Sequence, residues 1–389
     1  MQKIHINKKR KSKQKPQGNR YDRSEWAGAF GDLGTLIPFI VGYISIIKLD
    51  PLGVLFTFGI LLIGSGLYYK TPIPVQPMKA IGGAAIAGGA AITSGMIFGA
   101  GIFTGLFWLI LGLTGKLSSI SKIASKPVLR GIMLGLGLIF IIEGTKMMQT
   151  DFLIAAIALA LTFLLLTNKR IPAMFVLIIF GIAAGLIRNP ELIKELANIH
   201  FDFRLPQYSL GQITYSDFLK GILILGIPQI PLTLGNAVIA ITQENNRLFP
   251  EHPVTENKIA ITQGIMNLFS PIFGGIPVCH GAGGMAGHVR FGARTGGSLI
   301  ILGGILLIVG LCFSSSFLLL LSIFPASVLG VVLFFAGLEL AVSARDVGSD
   351  KGDYYILLIT AGFSIWNIGI GFVAGLIMQE MLKRKIFKV

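Results

Sequence analysis

Two short segments of this chain carry the residue types and spacing needed to hold an anion in an apolar setting. Residues 73–79 read Ile-Pro-Val-Gln-Pro-Met-Lys, and residues 276–284 read Ile-Pro-Val-Cys-His-Gly-Ala-Gly-Gly. Proline removes a backbone donor and biases the residue before it toward extended structure. Pro72, Pro74 and Pro77 therefore hold 72–77 extended and let a helix start at Met78. Pro277 does the same for 276–279, and the glycines at 281, 283 and 284 permit close approach at the second helix start. Extended backbone at membrane depth is tolerated only where it is buried or lines a cavity. Each helix start presents unpaired N–H groups and about half a positive charge, an arrangement that attracts oxyanions. Two ordinary proline kinks are the plain alternative. The match between the segments, one in each half, argues instead for a site built between repeats.

Side chains around these junctions supply further chemistry. Gln76 and His280 occupy matching positions: the first offers an amide donor, the second a donor or a pH-dependent charge, or simply a bond to a carbonyl. Asp32 lies in Gly-Asp-Leu-Gly-Thr-Leu-Ile-Pro at 31–38, inside an apolar run. An acid there is costly and functional by default. It would carry a coupling proton, hold a cation, or cap a helix break. Pro-Gln-Ile-Pro-Leu-Thr at 228–233 is its counterpart in the second half, with Gln229 and Thr233 as neutral donors. The expected anion position lies between the helix starts at Met78 and Gly281, with Thr35, Gln76, Gln229 and His280 as side-chain donors and Pro77, Thr233 and Cys279 completing the frame. Cys279 also reads as a small packing residue. Glu143 and Glu339 sit at similar places in two related segments and are further coupling candidates, or interfacial acids. Lys79 and Arg290 stand near the pathway or snorkel to an interface. Cys279-His280 alone is too little for a metal site, and no cofactor is expected.

The elements that position these residues are membrane helices. The 389-residue chain is 53% hydrophobic and 13% charged, against about 25% charged in soluble domains. Candidate spans fall near 26–47, 51–68, 78–93, 96–113, 127–146, 152–167, 171–187, 218–241, 258–272, 280–289, 297–313, 316–341 (broken at Pro325), 354–364 and 366–382. The net charge of +15 does not indicate nucleic-acid binding, because it is concentrated at the ends. Residues 1–23 hold nine Lys and Arg against one acid, Asp22, and Lys383, Arg384, Lys385 and Lys388 follow at the other end. By the positive-inside rule both ends are cytoplasmic, which requires an even number of spans. The basic tail at 1–24 has no cleavage site of the usual signal-peptide form, and it can touch anionic lipid.

The halves match. Residues 178–187 parallel 368–377, the segment from Pro127 parallels that from Pro325, and the two Ile-Pro-Val junctions are the third pair. The expected organisation is a repeat at 25–187, an external connection at 188–217, and a second repeat at 218–389. An odd number of spans per repeat inverts the second copy, the geometry of alternating access. The loops holding Lys116, Lys122 and Lys126, then Lys169 and Arg170, then Arg290 and Arg294 fall inside; loop 244–256, richer in acid, fits less well.

Gly-Asp-Leu-Gly-Thr at 31–35, Pro-Val-Gln-Pro-Met-Lys at 74–79, Pro-Val-Cys-His-Gly-Ala-Gly-Gly at 277–284 and Arg-Phe-Gly-Ala-Arg at 290–294 resemble the molybdate transporters of the sulfate-permease superfamily over nearly the whole chain. The resemblance implies an all-α polytopic fold like that of uracil transporters: about 14 spans in two inverted seven-span repeats, with spans 1–4 and 8–11 forming a core domain and 5–7 and 12–14 a gate domain. It also implies molybdate uptake across the plasma membrane, with tungstate or sulfate as rival substrates. Sulfate permeases typically add a C-terminal cytoplasmic regulatory domain; here the apolar pattern runs to within ten residues of Val389, as in the molybdate branch. A channel or anion exchanger on the same scaffold is the competing class. A membrane enzyme is disfavoured, since no nucleophile–base constellation appears. Expected partners are the oxyanion, membrane lipids and a second copy of the chain as a homodimer.

Overall fold

The structure, a computed structural model, describes residues 18–117, 125–165, 173–196, 199, 201–348 and 350–386. Most of the basic tail, Lys122, Lys169, Arg170 and Lys388 therefore lie outside the described residues.

The first half opens with α1 (Arg23–Ala29), a break at 30–32, and α2 (Leu33–Ser45). Then come α3 (Pro51–Tyr69), a two-residue strand β1 (Gln76–Pro77) and α4 (Lys79–Gly88). They are followed by α5 (Ser94–Thr114), α6 (Lys126–Met148), α7 (Phe152–Leu165) and α8 (Ala173–Arg188). A short α9 (Glu191–Leu196) lies in the connection. The second half runs α10 (Tyr215–Leu248), α11 (Glu256–Phe269), β2 (Val278–Cys279) and α12 (Ala282–Arg290). It ends with α13 (Gly297–Phe313), α14 (Phe317–Ser322), α15 (Ala326–Val342), α16 (Lys351–Trp366) and α17 (Ile368–Lys383).

Each expected segment carries helix among the described residues. Among the described residues six helices are long and apolar enough to cross a membrane by length and composition: α3, α5, α6, α10, and the extended spans Gly297–Ser316 and Ala326–Asp346. Proline explains most interruptions. Pro325 separates α14 from α15, as the sequence predicts. Within α10, Pro228 and Pro231 remove two backbone donors, and the helix continues by widening into π turns at Gly221–Gly226 and Thr233–Ala240 on either side. Such π turns frequently mark functional positions.

Two helix groups emerge from the packing. In one, α3 lies against α13 and α5 against α11; in the other, α6 packs on α15 and α16, α7 on α15, and α16 on α17. Glycine sets the closeness of the seams. A Cβ on Gly137 would fall 2.7 Å from the Gly337 carbonyl, and one on Gly144 would fall 2.6 Å from that of Gly330. Only glycine allows these backbones to touch, the small-residue packing expected between membrane helices. The groups meet where α2 and α4 face α6, with the rings of Phe39 and Phe140 5.3 Å apart and the Leu136 side chain against Gly83.

Candidate functional site

The two Ile-Pro-Val junctions, far apart in sequence, pair with each other. β1 and β2 run antiparallel, with Gln76 opposite Cys279 and Pro77 opposite Val278. The Met78 N–H donates to the Pro277 carbonyl at 2.9 Å. Helices α4 and α12 then depart from this ladder, with Met78 and Gly281 at their N-cap positions.

A two-residue ladder leaves much backbone unpaired, and each buried unpaired group costs about 1–3 kcal/mol. Side chains close the gap. Asn267 acts as a third strand: its carboxamide accepts from Val278 N–H at 2.8 Å and donates to the Val278 carbonyl at 2.6 Å. Ser65 Oγ donates to the Ile73 carbonyl, and Ser270 Oγ to the Ile276 carbonyl. His280 Nδ1 lies 2.8 Å from the Pro74 carbonyl. A carbonyl only accepts, so Nδ1 carries the proton, and Nε2 is left to accept from Thr262 Oγ1 at 3.1 Å. The imidazole thus faces α3 and α11, edge-on to Tyr69, and braces the crossover.

Gln76 and Asp32 form the second part of the site. Gln76 Nε2 donates to both carboxylate oxygens of Asp32, at 2.8 and 2.6 Å. These contacts orient the amide, leaving Gln76 Oε1 buried with no hydrogen-bond partner. That oxygen lies against Gly281, where any Cβ would overlap it, while a Cβ on Gly284 would fall 2.6 Å from Asp32 Oδ2. The Asp32–Gln76 pair therefore crosses the first turn of α12. Lys79, in the first turn of α4, is also buried, and Lys79 and His288 are the charged or titratable groups acting on Asp32.

Asp32 is placed by the break between α1 and α2. His288 Nδ1 donates to the Gly28 carbonyl at 2.7 Å. The backbones of Gly31 and Gly287 touch, so that a Cβ on Gly287 would come within 2.6 Å of the Gly31 carbonyl. The fully buried Glu25 carboxylate accepts from Arg294 N–H and Thr295 N–H at 2.9 Å each and from Ser298 N–H at 3.2 Å. It caps the start of α13 and pins α1 to it.

At α4 an oxygen already occupies the helix start. Gln229 Oε1 accepts from Ala80 N–H at 2.8 Å and Ile81 N–H at 3.3 Å, while its Nε2 donates to Thr233 Oγ1 at 2.9 Å. Gln229 lies between the two π turns of α10 and Thr233 opens the second. Gln229 thus acts as an acceptor here, where the sequence suggests a donor.

The remaining candidates are distributed as follows. Thr35 is half-buried in the first turn of α2. Met78 and Cys279 are buried, with Cys279 Sγ 3.9 Å from the Pro77 carbonyl. Glu143 lies on α6 away from the ladder and pairs with Lys146 at 2.7 Å in a partly exposed contact. Glu339 is on α15, and its side chain lies outside the described residues. The Arg290 guanidinium stands 5.9 Å from the Phe291 ring. Among the described residues no cluster of three or more His, Cys, Asp and Glu is placed to hold a metal.

Sequence reasoning missed Glu25, Asn267 and His288. Each is a polar residue with no motif around it; buried polar side chains in a membrane span are the general signal that flags them.

The arrangement has known counterparts. The transmembrane domain of a cyanobacterial bicarbonate transporter, BicA, superposes with a TM-score of 0.67 at 16% identity, covering 92% of this chain and 99% of that one. The murine anion transporter Slc26a9, in its inward-facing state, gives 0.67 at 13%, covering 96% and 70%. At these identities the likeness concerns the fold alone. In sequence, Molybdate transporter 2 of Arabidopsis thaliana is 35% identical over 92% of this chain and 87% of its own length. The family described as "Molybdate transporter of MFS superfamily" matches residues 24–140 and 221–340, the two stretches that contribute α1 to α5 with β1 and most of α6, and α10 to α15 with β2. On these matches the chain, an integral multi-pass membrane protein, belongs to the molybdate transporter family.

Proposed function

We infer that this protein takes up molybdate across the plasma membrane by alternating access, with both termini cytoplasmic, and that the dianion sits between the starts of α4 and α12. The observation that carries this reading is the Gln229 carboxamide oxygen seated on the Ala80 and Ile81 N–H groups. A partially negative oxygen already satisfies the helix start, and an arriving oxyanion takes its place. Tungstate, of the same charge and shape, is the expected second substrate. The repeats at 25–187 and 218–389 supply one half-helix each.

Charge counting indicates how the anion is accompanied. Lys79 contributes one positive charge and the two helix starts about half each, a sum that an ionised Asp32 would lower. Gln76 links the two events. While Asp32 is ionised, the Gln76 NH2 is held on the carboxylate and its oxygen faces Gly281. When Asp32 takes up a proton, its O–H donates to the Gln76 oxygen, the amide rotates, and the NH2 turns toward the anion. One protonation thus removes a repelling charge and converts an acceptor into a donor. Release on the other side reverses both changes.

Two experiments test this. A structure with tungstate bound should place the metal about 4–5 Å from the backbone near 77–79 and 280–282, one hydrogen-bond shell plus a W–O bond; tungsten at the loop carrying Lys116 and Lys126 instead would overturn the site. In proteoliposomes, Asp32→Asn, which holds a permanent donor toward Gln76, should retain molybdate binding and lose accumulation driven by an imposed pH gradient. Unchanged gradient-driven uptake would remove Asp32 as the proton carrier.

A further inference from the structure

A cavity lies between α3 and α11. It is a groove of about 280 Å³ walled by Ile60, Leu61 and Tyr68 on one side and Ile265, Met266 and Phe269 on the other. Tyr69, Thr262 and His280 form its floor. Four features bear on what fills it. The lips are open, with Ile60, Tyr68 and Ile265 36%, 55% and 54% exposed, and in a membrane helix bundle that exposure is to lipid. The floor's polar atoms are already engaged with each other and with Pro74, and Ser65 with Ile73, so an apolar occupant strands no donor. Midway, a Cβ added to Gly64 would have nothing within 4 Å. At one end stand two cations: Lys258 Nζ, 4.5 Å from the Tyr68 ring centroid, and the exposed Lys70 that caps α3.

We propose that this groove binds an anionic phospholipid of the bilayer, with one acyl chain lying between α3 and α11 and the headgroup phosphate held by Lys70 and Lys258. The volume falls just below the roughly 300–1,000 Å³ of ordinary ligand pockets, which suits a single chain rather than a ring system. Tyrosine and lysine side by side are the usual furniture of a headgroup level. The bound chain would press on the outer edge of His280, whose inner edge holds Pro74 and hence β1. Bilayer composition is thereby felt at the ladder without any contact between lipid and oxyanion. The site requires only that the chain spans a membrane, so it stands or falls separately from the substrate and its coupling.

The test is native mass spectrometry of the full-length protein with phosphatidylglycerol and phosphatidylcholine added separately. The parent should retain phosphatidylglycerol in preference. Gly64→Phe fills the open space and should abolish retention of both lipids while the thermal transition stays within a few degrees of the parent. Lys70→Ala combined with Lys258→Ala should keep chain binding and lower the preference for phosphatidylglycerol roughly 30-fold, at one surface lysine's attraction per residue. Retention undiminished in a folded Gly64→Phe protein would overturn the groove. A preference unchanged in the double lysine variant would overturn the headgroup assignment, and that variant decides the matter if Gly64→Phe does not fold.

Discussion

The Asp32–Gln76 pair concentrates the chemistry of the site in two side chains, and its geometry makes their roles separable. On the proposed mechanism Gln76→Ala removes the amide that holds Asp32 and would turn to the anion; molybdate affinity by isothermal titration should fall by about 1–3 kcal/mol, the loss expected for a hydrogen bond in a dry site. Gln229→Leu removes the internal occupant of the α4 start together with its bond to Thr233. It should destabilise the empty protein by about 0.5–2 kcal/mol, as loss of an N-cap does, with a smaller effect on affinity than Gln76→Ala. If the two variants lose affinity equally, Gln229 is a direct ligand rather than the group the anion replaces. His280→Ala reports on something else. Its ring braces Pro74, so this substitution should lower the thermal transition as well as weaken binding.

At the scale of the element, the crossover is a piece of β-structure finished by side chains. Asn267→Leu strips the pairing from Val278 N–H and carbonyl, and at about 1–3 kcal/mol for each orphaned group it should lower stability more than any substitution on the lipid-facing side of α11. Thermal denaturation in detergent checks this directly. The two helix starts were legible in the sequence to within a residue or two, because proline and glycine act on their immediate neighbours. Met78 was the expected start and is the N-cap; Gly281 likewise. The pairing of β1 with β2 was not legible, since nothing local in either segment names a partner 203 residues away. Nor was the acceptor role of Gln229, which shows only once the start of α4 is seen beside it. Asn267 was invisible for a related reason: one polar residue in a helix shows its purpose only when the strand beside it is known.

For the whole molecule, hydropathy was enough to give a mostly helical membrane fold, because each span announces itself by composition. Glu25 escaped that reading because it stands at the boundary between the basic tail and the first span, whereas its carboxylate is buried under the start of α13. Under the proposed alternating access, the contact between the two helix groups is where the sharpest demand falls. The half-helix α4 faces α6 through Gly83 and Leu136. Gly83→Cys with Leu136→Cys, in a background where Cys279 and Cys312 are replaced by Ala, should form a cross-link that stops uptake into proteoliposomes. Reductant should restore it. Full transport by the oxidised protein would mean that α4 and α6 do not slide past each other.

The ladder also sets a condition on how the protein is made. Its strands are 203 residues apart, and at roughly 5–20 residues synthesised per second the first waits about 10–40 s for the second. Throughout that interval the segment before α4 has no strand to pair with, and Asn267, which completes the other edge, has not yet been translated. The first half of the chain must therefore be sheltered by the insertion machinery, or sit shallow in the bilayer, until the second half arrives. A nascent chain halted before β2 would be a preferred substrate for membrane proteases, however well its individual helices insert.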